Sequence, residues 1–281
     1  MTDDAFGQKL CDLFKDKRVL IIGDSIMRGV YRDICCVLNN NSRLLYDYEL
    51  KFNRHNVHAN ALFGEQIELF HINRNNSTLN KEKRIFKCKQ FNYYVSYVFN
   101  SRVWNTYMNT LLSSKENYDC IIIQSFIWDL TRYNDNDGSI YLNNLEKCLL
   151  KLKELNIPIL WILLPTSDSF QAAKVNDFLT KLSPNIIQKV QQYSINLINL
   201  ANSMKDIMNL RNKDGIHFTS IGHRHITEQI AQMMTNLQIG TSNIITNEST
   251  NTFNASFTEK VPFPAIRQGI NFKRFNPYYH R

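Results

Sequence analysis

The stretch RVLIIGDSIMRGVYRD, residues 18–33, changes its pattern abruptly at Gly-Asp-Ser. Aliphatic residues without a polar break precede this point, as in a strand buried on both faces of a sheet, and residues compatible with a helix follow it. We therefore expect a strand over 18–23 and a helix over Ser25–Leu38, joined by a tight turn. Arg28 would lie in the first turn of that helix, where a positive charge opposes the backbone dipole and needs an explanation.

The same alternation continues along the chain. Aliphatic runs at 119–124, 157–165 and 195–200 predict further buried strands, and the segments 139–155, 170–193 and 219–237 predict helices. Short aliphatic strands separated by helices indicate a parallel sheet covered on both faces. The expected fold class is α/β, a three-layer α/β/α sandwich with a mainly parallel sheet of about five strands. Ligands of such sheets bind beyond the carboxyl ends of the strands.

Two regions depart from this pattern. Residues 40–100 alternate only in patches, which predicts a strand-rich insertion or an added edge strand. After residue 238 the composition shifts to Asn, Ser, Thr and Pro, and the sequence closes on FNPYYHR. We expect one domain over 1–238 and a polar, flexible tail over 239–281; alternatively, the tail's aromatic residues dock onto a protein partner.

Composition limits the class of protein. The formal net charge is +8, but the 33 Lys and Arg residues form no long block, which argues against nucleic-acid binding. The six cysteines are scattered without a CxxC pair. No apolar run is long enough to span a bilayer, and MTDDAFGQKLCDLF lacks the features of a secretory signal. The sequence therefore predicts a cytoplasmic protein without a membrane segment.

Ser25 is the first residue with chemical promise. A serine on a strand-to-helix turn stands above the sheet edge, next to backbone N–H groups that can stabilise an oxyanion. A serine hydroxyl is nevertheless a weak nucleophile without a base, and Ser25 alone is more typical of a helix cap. Its assignment as a nucleophile therefore depends on finding a base elsewhere in the sequence.

The segment NKDGIHFTSIGHRHITEQI supplies a candidate base directly before the last helix. Asp214 and His217 are three residues apart in a turn-forming stretch, so both side chains can project from one loop. Taken singly, Asp214 is typical of a turn and His217 of packing or capping. Together with Ser25 they predict a Ser-His-Asp triad, in which the carboxylate fixes the tautomer of the imidazole.

Four segments in order carry a resemblance to a known family: GDSIMRGVYRD, FIWDLTRY, LWILLPTS and DGIHFTSIGHRHIT. Together, over residues 17–237, they resemble the PC-esterase family of the SGNH (GDSL-type) hydrolase superfamily. The resemblance implies that Ser25 is the nucleophile, His217 the general base and Asp214 its partner. It also implies that the backbone N–H of Ser25 is one oxyanion donor.

The resemblance has a gap at the remaining oxyanion donors. The superfamily supplies a glycine and an asparagine, but no clear GxND motif occurs, and IIIQSFIWDL stands at that point. Gln124 replaces the asparagine found in related PC-esterase sequences, and its longer side chain displaces the amide donor by roughly one bond length; losing such a donor costs about 10²–10³ in turnover. Gly64, in LFGEQ, is the candidate for the glycine.

Four further residues have two interpretations each. Trp128 and Asp129 either shape the acyl pocket or hold a neighbouring loop; the alternative is a core tryptophan with a capping aspartate. Arg28 either holds Trp128–Asp129 or Asp33, or binds an acidic group of the substrate; the alternative is a solvated surface arginine. Arg102, in NSRVW, resembles a family TRV segment and has the same supporting interpretations.

No cofactor and no metal are expected. His223 and His225 might join Asp214 and His217 as ligands, but helical residues two apart point about 200° away from each other. The resemblance implies a serine esterase that removes acyl groups, acetyl among them, from a modified carbohydrate or another biopolymer. The expected partner is an acylated small-molecule or carbohydrate substrate. Two alternatives remain open: an O-acyltransferase with the same triad, and a non-catalytic binding or scaffold protein on this fold.

Overall fold

A seven-stranded sheet forms the centre of the computed structural model, with strand order β2-β3-β4-β1-β5-β6-β7. The structure describes residues 3–39, 42–51, 61–71, 81–114, 116–125, 127–133, 135, 137–167, 169, 172–205, 207 and 209–239. The strands are β1 (Arg18–Gly23), β2 (Gln66–His71), β3 (Lys81–Cys88), β4 (Tyr93–Phe99), β5 (Cys120–Ile123), β6 (Ile159–Leu163) and β7 (Asn196–Asn199).

The central strand is β1, as the aliphatic run predicts. It pairs in parallel with β4 on one side and with β5 on the other, and β6 and β7 continue the parallel order. Val19, Leu20, Ile21 and Ile22 are completely or almost completely buried, because helices cover both faces of the sheet. All carboxyl ends of these parallel strands therefore meet at one edge.

The helices cover the sheet in two groups. The first is α1 (Asp3–Phe14), α2 (Ser25–Leu38) and α9 (Ser220–Asn236), which pack on one another; the second is α4 (Thr106–Leu112), α5 (Ile127–Arg132), α6 (Ser139–Lys153) and α7 (Ala173–Gln192). Short helices α3 (Asp47–Leu50) and α8 (Leu200–Ser203) connect elements. The expected three-layer α/β/α fold class and the helix Ser25–Leu38 are confirmed.

The sheet has seven strands where the sequence predicts about five. The additional pairing comes from the irregular region: β2 and β3 are antiparallel to each other, and β3 is antiparallel to β4. Strand β3 reads KEKRIFKC, and its Glu82 and Arg84 are buried. A strand whose inward face carries charges lacks the aliphatic run or the clean alternation that marks a strand in a sequence.

The described residues all lie in the first of the chain's two units, residues 1–242. The predicted tail, 239–281, lies outside the described residues apart from Ile239, and it stays a prediction. Among the described residues, no helix combines the length and the apolarity that crossing a membrane requires.

Candidate active site

Ser25 is the first residue of α2, directly after β1, and its side chain is partly exposed. Asp24 caps the helix by accepting a hydrogen bond from the Ile26 N–H at 2.9 Å. The turn is tight because Gly23 lies against the next strand: a Cβ on Gly23 would stand 2.7 Å from the carbonyl oxygen of Gln124. Only glycine allows β1 and β5 to approach this closely at the point where the serine emerges.

The backbone of this turn is held from the β4 side. The hydroxyl of Tyr97, which is fully buried, donates to the carbonyl oxygens of Asp24 at 2.9 Å and Gly23 at 3.3 Å. The N–H of Asn100, just beyond β4, donates to the Gly23 carbonyl at 2.8 Å. Burial raises the pKa of the Asp24 carboxyl. The position of Ser25 is therefore set by buried contacts on two neighbouring strands.

Ser25, His217 and Asp214 form a continuous hydrogen-bonded chain. The Ser25 Oγ lies 2.9 Å from His217 Nε2, although the two residues are 192 positions apart. His217 Nδ1 lies 2.6 Å from Asp214 Oδ2. With the Nδ1 proton directed at the carboxylate, Nε2 is free to accept the serine proton. The arrangement can therefore activate the hydroxyl of Ser25.

Asp214 is also held by the backbone of its own loop. Its Oδ1 accepts hydrogen bonds at 2.9 Å from the N–H groups of Ile216 and His217. Burial opposes ionisation of Asp214, but the hydrogen bonds from His217 and Ile216 outweigh it and lower the pKa of the carboxyl. The side chains of Asp214 and His217 are each 46% exposed, so the triad opens to solvent.

Arg211 supports the loop that carries Asp214 and His217. It was not identified from the sequence, because RNKDG has no distinguishing pattern. Its guanidinium donates to the Ile216 carbonyl at 2.8 Å and to the Pro165 carbonyl at 2.6 Å, and it lies 4.2 Å from the centre of the Phe218 ring. Burial lowers the pKa of Arg211 to about 10. Arg211 thus contacts both chain neighbours of His217 and joins them to the loop after β6.

Gln124 follows β5 at the same edge of the sheet. Its N–H donates to the Ile22 carbonyl at 3.0 Å, and its side chain is 1% exposed. Neither Oε1 nor Nε2 of this buried amide has a hydrogen-bond partner among the residues that the structure describes. A buried amide without a partner is costly, so the Gln124 amide is available to donate a hydrogen bond at this edge of the sheet.

The structure does not bring Gly64 to Ser25. Gly64 precedes β2, the edge strand that β3 and β4 separate from β1. It is exposed, and nothing lies within 4 Å of the position that a Cβ would take. Its φ of 75° explains the glycine, because this left-handed conformation disfavours other residues. Gly64 therefore serves a turn far from the triad.

Arg28 is buried and paired, so the alternative of a solvated surface arginine is wrong. Its side chain is 10% exposed, and its Nε lies 3.4 Å from Glu82 Oε2 on β3. Glu82 also binds Arg84. The carboxylate of Glu82 thus offsets the positive charge in the first turn of α2. Asp33, one of the expected partners of Arg28, instead binds Arg224 on α9.

Asp129 holds a neighbouring loop. Its Oδ2 accepts hydrogen bonds from the Val103 N–H at 2.7 Å and from the Ser125 hydroxyl at 3.3 Å, which joins the loops after β4 and β5. Burial raises the pKa of the Asp129 carboxyl to about 7. Trp128 packs edge-on against Phe99, with ring centres 5.6 Å apart.

The two histidines of α9 take no part in the hydrogen bonds that join Ser25, His217 and Asp214. His223 is buried, and burial lowers the pKa of its imidazole to about 3. His225 Nδ1 lies 3.6 Å from Glu228 on the same helix. Among the residues that the structure describes, no group of three or more His, Cys, Asp and Glu side chains is arranged to hold a metal ion.

The chain is similar in sequence to PC-esterase domain-containing proteins. PC-esterase domain-containing protein 1A of Mus musculus is 27% identical over 76% of this chain and 51% of its own length, and protein 1B of Rattus norvegicus is 30% identical over 57% and 38%. The chain thus spans about half the length of the 1A proteins it matches. No family model matches.

Solved structures show the same fold at low identity. A GDSL-like lipase from Bacteroides thetaiotaomicron aligns with a TM-score of 0.50 at 12% identity, over 84% of this chain and 98% of the lipase. A peptidoglycan O-acetylesterase aligns with a TM-score of 0.51 at 13% identity, over 84% of this chain and 95% of the esterase. The fold is that of the SGNH/GDSL hydrolases.

Proposed function

We propose that this chain, which resembles PC-esterase domain-containing proteins in sequence and SGNH hydrolases in fold, is a serine esterase. The hydrogen-bonded chain from Ser25 through His217 to Asp214 carries the proposal. A serine that caps a helix has no need of an imidazole at 2.9 Å whose other nitrogen binds a carboxylate. A nucleophile, a base and a carboxylate that orients the base are the three roles by which such a triad activates a hydroxyl at neutral pH.

The reaction proceeds in two steps. His217 Nε2 takes the proton of Ser25 while Oγ attacks the ester carbonyl, and the resulting imidazolium returns that proton to the leaving alcohol. The carbonyl carbon is then bound to Ser25 as an acyl-enzyme. Water, deprotonated by His217, attacks this ester and releases the acid, and the proton on His217 returns to Ser25.

The oxyanion formed in each step needs hydrogen-bond donors. The N–H groups in the first turn of α2 have no acceptor within the helix, and that of Ser25 is adjacent to the nucleophile. The amide Nε2 of Gln124, buried beside Gly23 and without a partner, is the second donor. Gln124 thus supplies the amide donor to the oxyanion that an asparagine supplies in related sequences.

The proposed substrate is an acyl ester, acetyl among the acyl groups, on a carbohydrate or another biopolymer. The exposure of His217 and Asp214 supports a bulky substrate, because a group that projects from a large molecule can reach an open triad. An O-acyltransferase uses the same first step, and an acceptor alcohol replaces water in the second. The two activities are distinguished by adding acceptor alcohols to the assay.

The first test is covalent labelling with a fluorophosphonate probe, which reacts with activated serines. We expect labelling of the wild-type chain and its loss in Ser25→Ala and His217→Ala. Ser139→Ala is a matched control, because Ser139 also begins a helix. His225→Ala is the second, because His225 also pairs with a carboxylate three residues away. Both controls should label as the wild type does.

Labelling of a folded wild-type chain that does not depend on Ser25, or its complete absence, contradicts the esterase. Absence of labelling would support the non-catalytic scaffold. Gln124→Ala extends the test to the oxyanion site, where we expect labelling to slow by about 10²-fold. An unchanged rate in that variant would remove Gln124 from the mechanism while leaving the triad in place.

A further inference from the structure

Arg102 is a cation without an acid partner at the same edge of the sheet. Its Nε is buried and has no hydrogen-bond partner, and no ion pair of its guanidinium occurs among the described residues. The guanidinium is nevertheless held in place, because it stacks on the ring of Tyr133 at 3.5 Å from the ring centre. Arg102 is thus fixed by stacking while its N–H groups are left unused.

The loop that carries Arg102 is tied to the nucleophile turn. The Asn100 N–H donates to the Gly23 carbonyl at 2.8 Å, and the Asn100 side chain donates to the Arg102 carbonyl. On the other side, the Val103 N–H binds Asp129 at 2.7 Å. Residues 100–103 therefore lie beside the turn that presents Ser25, and Arg102 projects from a fixed backbone.

Three buried arginines of this protein are paired with acids. Arg28 binds Glu82, Arg84 binds Glu65 and Glu82, and Arg224 binds Asp33. The carboxylate that interacts electrostatically with Arg102 is Asp129, and its hydrogen bonds go to Val103 and Ser125. A positioned guanidinium whose fork of donors is free matches the two oxygens of a carboxylate.

We propose that Arg102 binds a carboxylate of the substrate, so that this chain acts on acyl esters of acidic molecules. The inference rests on the proposed esterase and names its substrate class. On the opposite side of β1, the Gln124 amide likewise has no hydrogen-bond partner among the described residues, so a second unused donor lies at this edge of the sheet. In the proposed complex, the Gln124 amide donates to the ester oxygen and the Arg102 guanidinium donates to the carboxylate. One guanidinium balances the single charge of a carboxylate, whereas a phosphate monoester carries about two.

The test compares aryl esters that differ in one charge. The 2-, 3- and 4-acetoxybenzoates are paired with the corresponding acetoxybenzamides, which have nearly the same shape and no charge. We expect the wild type to hydrolyse at least one benzoate with a kcat/KM about 10- to 100-fold above that of its amide, the range of a charge-assisted hydrogen bond. Arg102→Gln should abolish this preference and leave amide hydrolysis within about twofold, and Arg102→Lys should keep part of it.

Arg18→Gln is the matched control. Arg18 also stacks on a tyrosine, at 3.9 Å from the centre of the Tyr94 ring. It is the first residue of β1, however, and therefore lies at the amino ends of the parallel strands, away from Ser25. The control should retain the benzoate preference. Raising the salt concentration should weaken the preference in the wild type and leave amide hydrolysis unchanged.

Three results overturn the inference. In the first, the wild type hydrolyses the benzoates and the benzamides equally well. In the second, Arg102→Gln lowers the hydrolysis of both esters by the same factor, and in the third, Arg102→Gln still prefers the benzoate. If the wild type hydrolyses neither ester, the proposed esterase activity is wrong. The role of Arg102 is then tested by ligand binding alone. Calorimetric titration of Ser25→Ala with the benzoates and the benzamides then supports the carboxylate site if benzoate binding depends on Arg102, and overturns it otherwise.

Discussion

Gly29 offers a sharp test of how the proposed nucleophile, Ser25, and the proposed base, His217, are held together. It lies on α2, one turn beyond Ser25, and packs against the ring of His223 on α9. A Cβ at Gly29 would stand 2.7 Å from His223 Nδ1 and closer still to Cε1 and Nε2. We predict that Gly29→Ala slows fluorophosphonate labelling of Ser25 by about 10- to 100-fold.

The magnitude follows from two distances. An ordinary contact begins near 3.4 Å, and Cε1 and Nε2 stand closer to the added Cβ than Nδ1 does, so the His223 ring must retreat by more than about 1 Å. His223 lies in the first turn of α9, and its N–H binds the Thr219 carbonyl at 3.0 Å, so its movement displaces the loop that carries His217. If more than about half of that shift reaches His217 along the hydrogen bond, the 2.9 Å separation of Ser25 and His217 grows to about 3.5 Å, the outer limit of a hydrogen bond.

The free energy of unfolding should fall only modestly. Overpacking a core costs about 1–3 kcal/mol, whereas replacing glycine by alanine in a helix contributes about 1 kcal/mol. The net loss in the free energy of unfolding is therefore about 0–2 kcal/mol, measured by urea denaturation. Gly7→Ala is the matched control on α1, because a Cβ there meets only ordinary contacts at 3.8 Å and 3.9 Å.

The reasoning predicts a rescue as well. In a Gly29→Ala, His223→Ala double variant the ring is absent, so labelling should return to the rate of His223→Ala alone. If Gly29→Ala labels as fast as the wild type, or if the double variant is slower than both single variants, the contact between Gly29 and His223 does not set the position of the base.

Three further predictions concern the supports of the site. Tyr97→Phe removes the hydroxyl that binds the Asp24 carbonyl, and we expect a loss of about 1–2 kcal/mol in urea unfolding together with a lower kcat at unchanged KM. Arg211→Gln should cost about 2–4 kcal/mol in the same assay and slow the labelling of Ser25, because two carbonyls that flank the His217 loop lose their donor. An unchanged labelling rate in either variant would contradict its positioning role. The pKa of Asp129 rises from 3.8 to about 7 on folding, so the folded chain binds an additional proton between these pH values and its stability from this group falls as the pH rises. Asp129→Asn should therefore flatten the pH dependence of unfolding between about pH 4 and 7 by at most ~4 kcal/mol, and an equal slope in wild type and variant would contradict the burial of an ionisable group there.

Much of the fold was predictable because it depends on local pattern. Aliphatic runs without polar breaks become parallel strands, and this pattern predicts β1, β5, β6 and β7 together with the helices between them. The irregular region was harder to interpret. In β3 the buried positions include Glu82 and Arg84, whose burial is made tolerable by pairing with each other and with charged side chains on α2 and before β2.

The triad residues were also accessible from the sequence, since parallel strands bring their carboxyl ends to one edge and both motifs stand at that edge. The partners of those residues were not. Arg28 pairs with Glu82, Arg211 binds the Pro165 and Ile216 carbonyls, and the guanidinium of Arg102 stacks on Tyr133 without an ion pair among the described residues. Arginine is thus paired with an acid, bound to backbone carbonyls or stacked on a ring, depending on which groups the fold places beside it.

The sequence by itself determined the α/β layering and singled out the candidate residues Ser25, Asp214 and His217, because periodicity and short motifs are local properties of the chain. Only the tertiary structure decided which charges are compensated, which donors remain unused and how closely α2 and α9 pack. Those outcomes depend on contacts between segments as far apart as Gly29 and His223. No local pattern encodes them, because burial and the distance between two side chains exist only once the chain has folded.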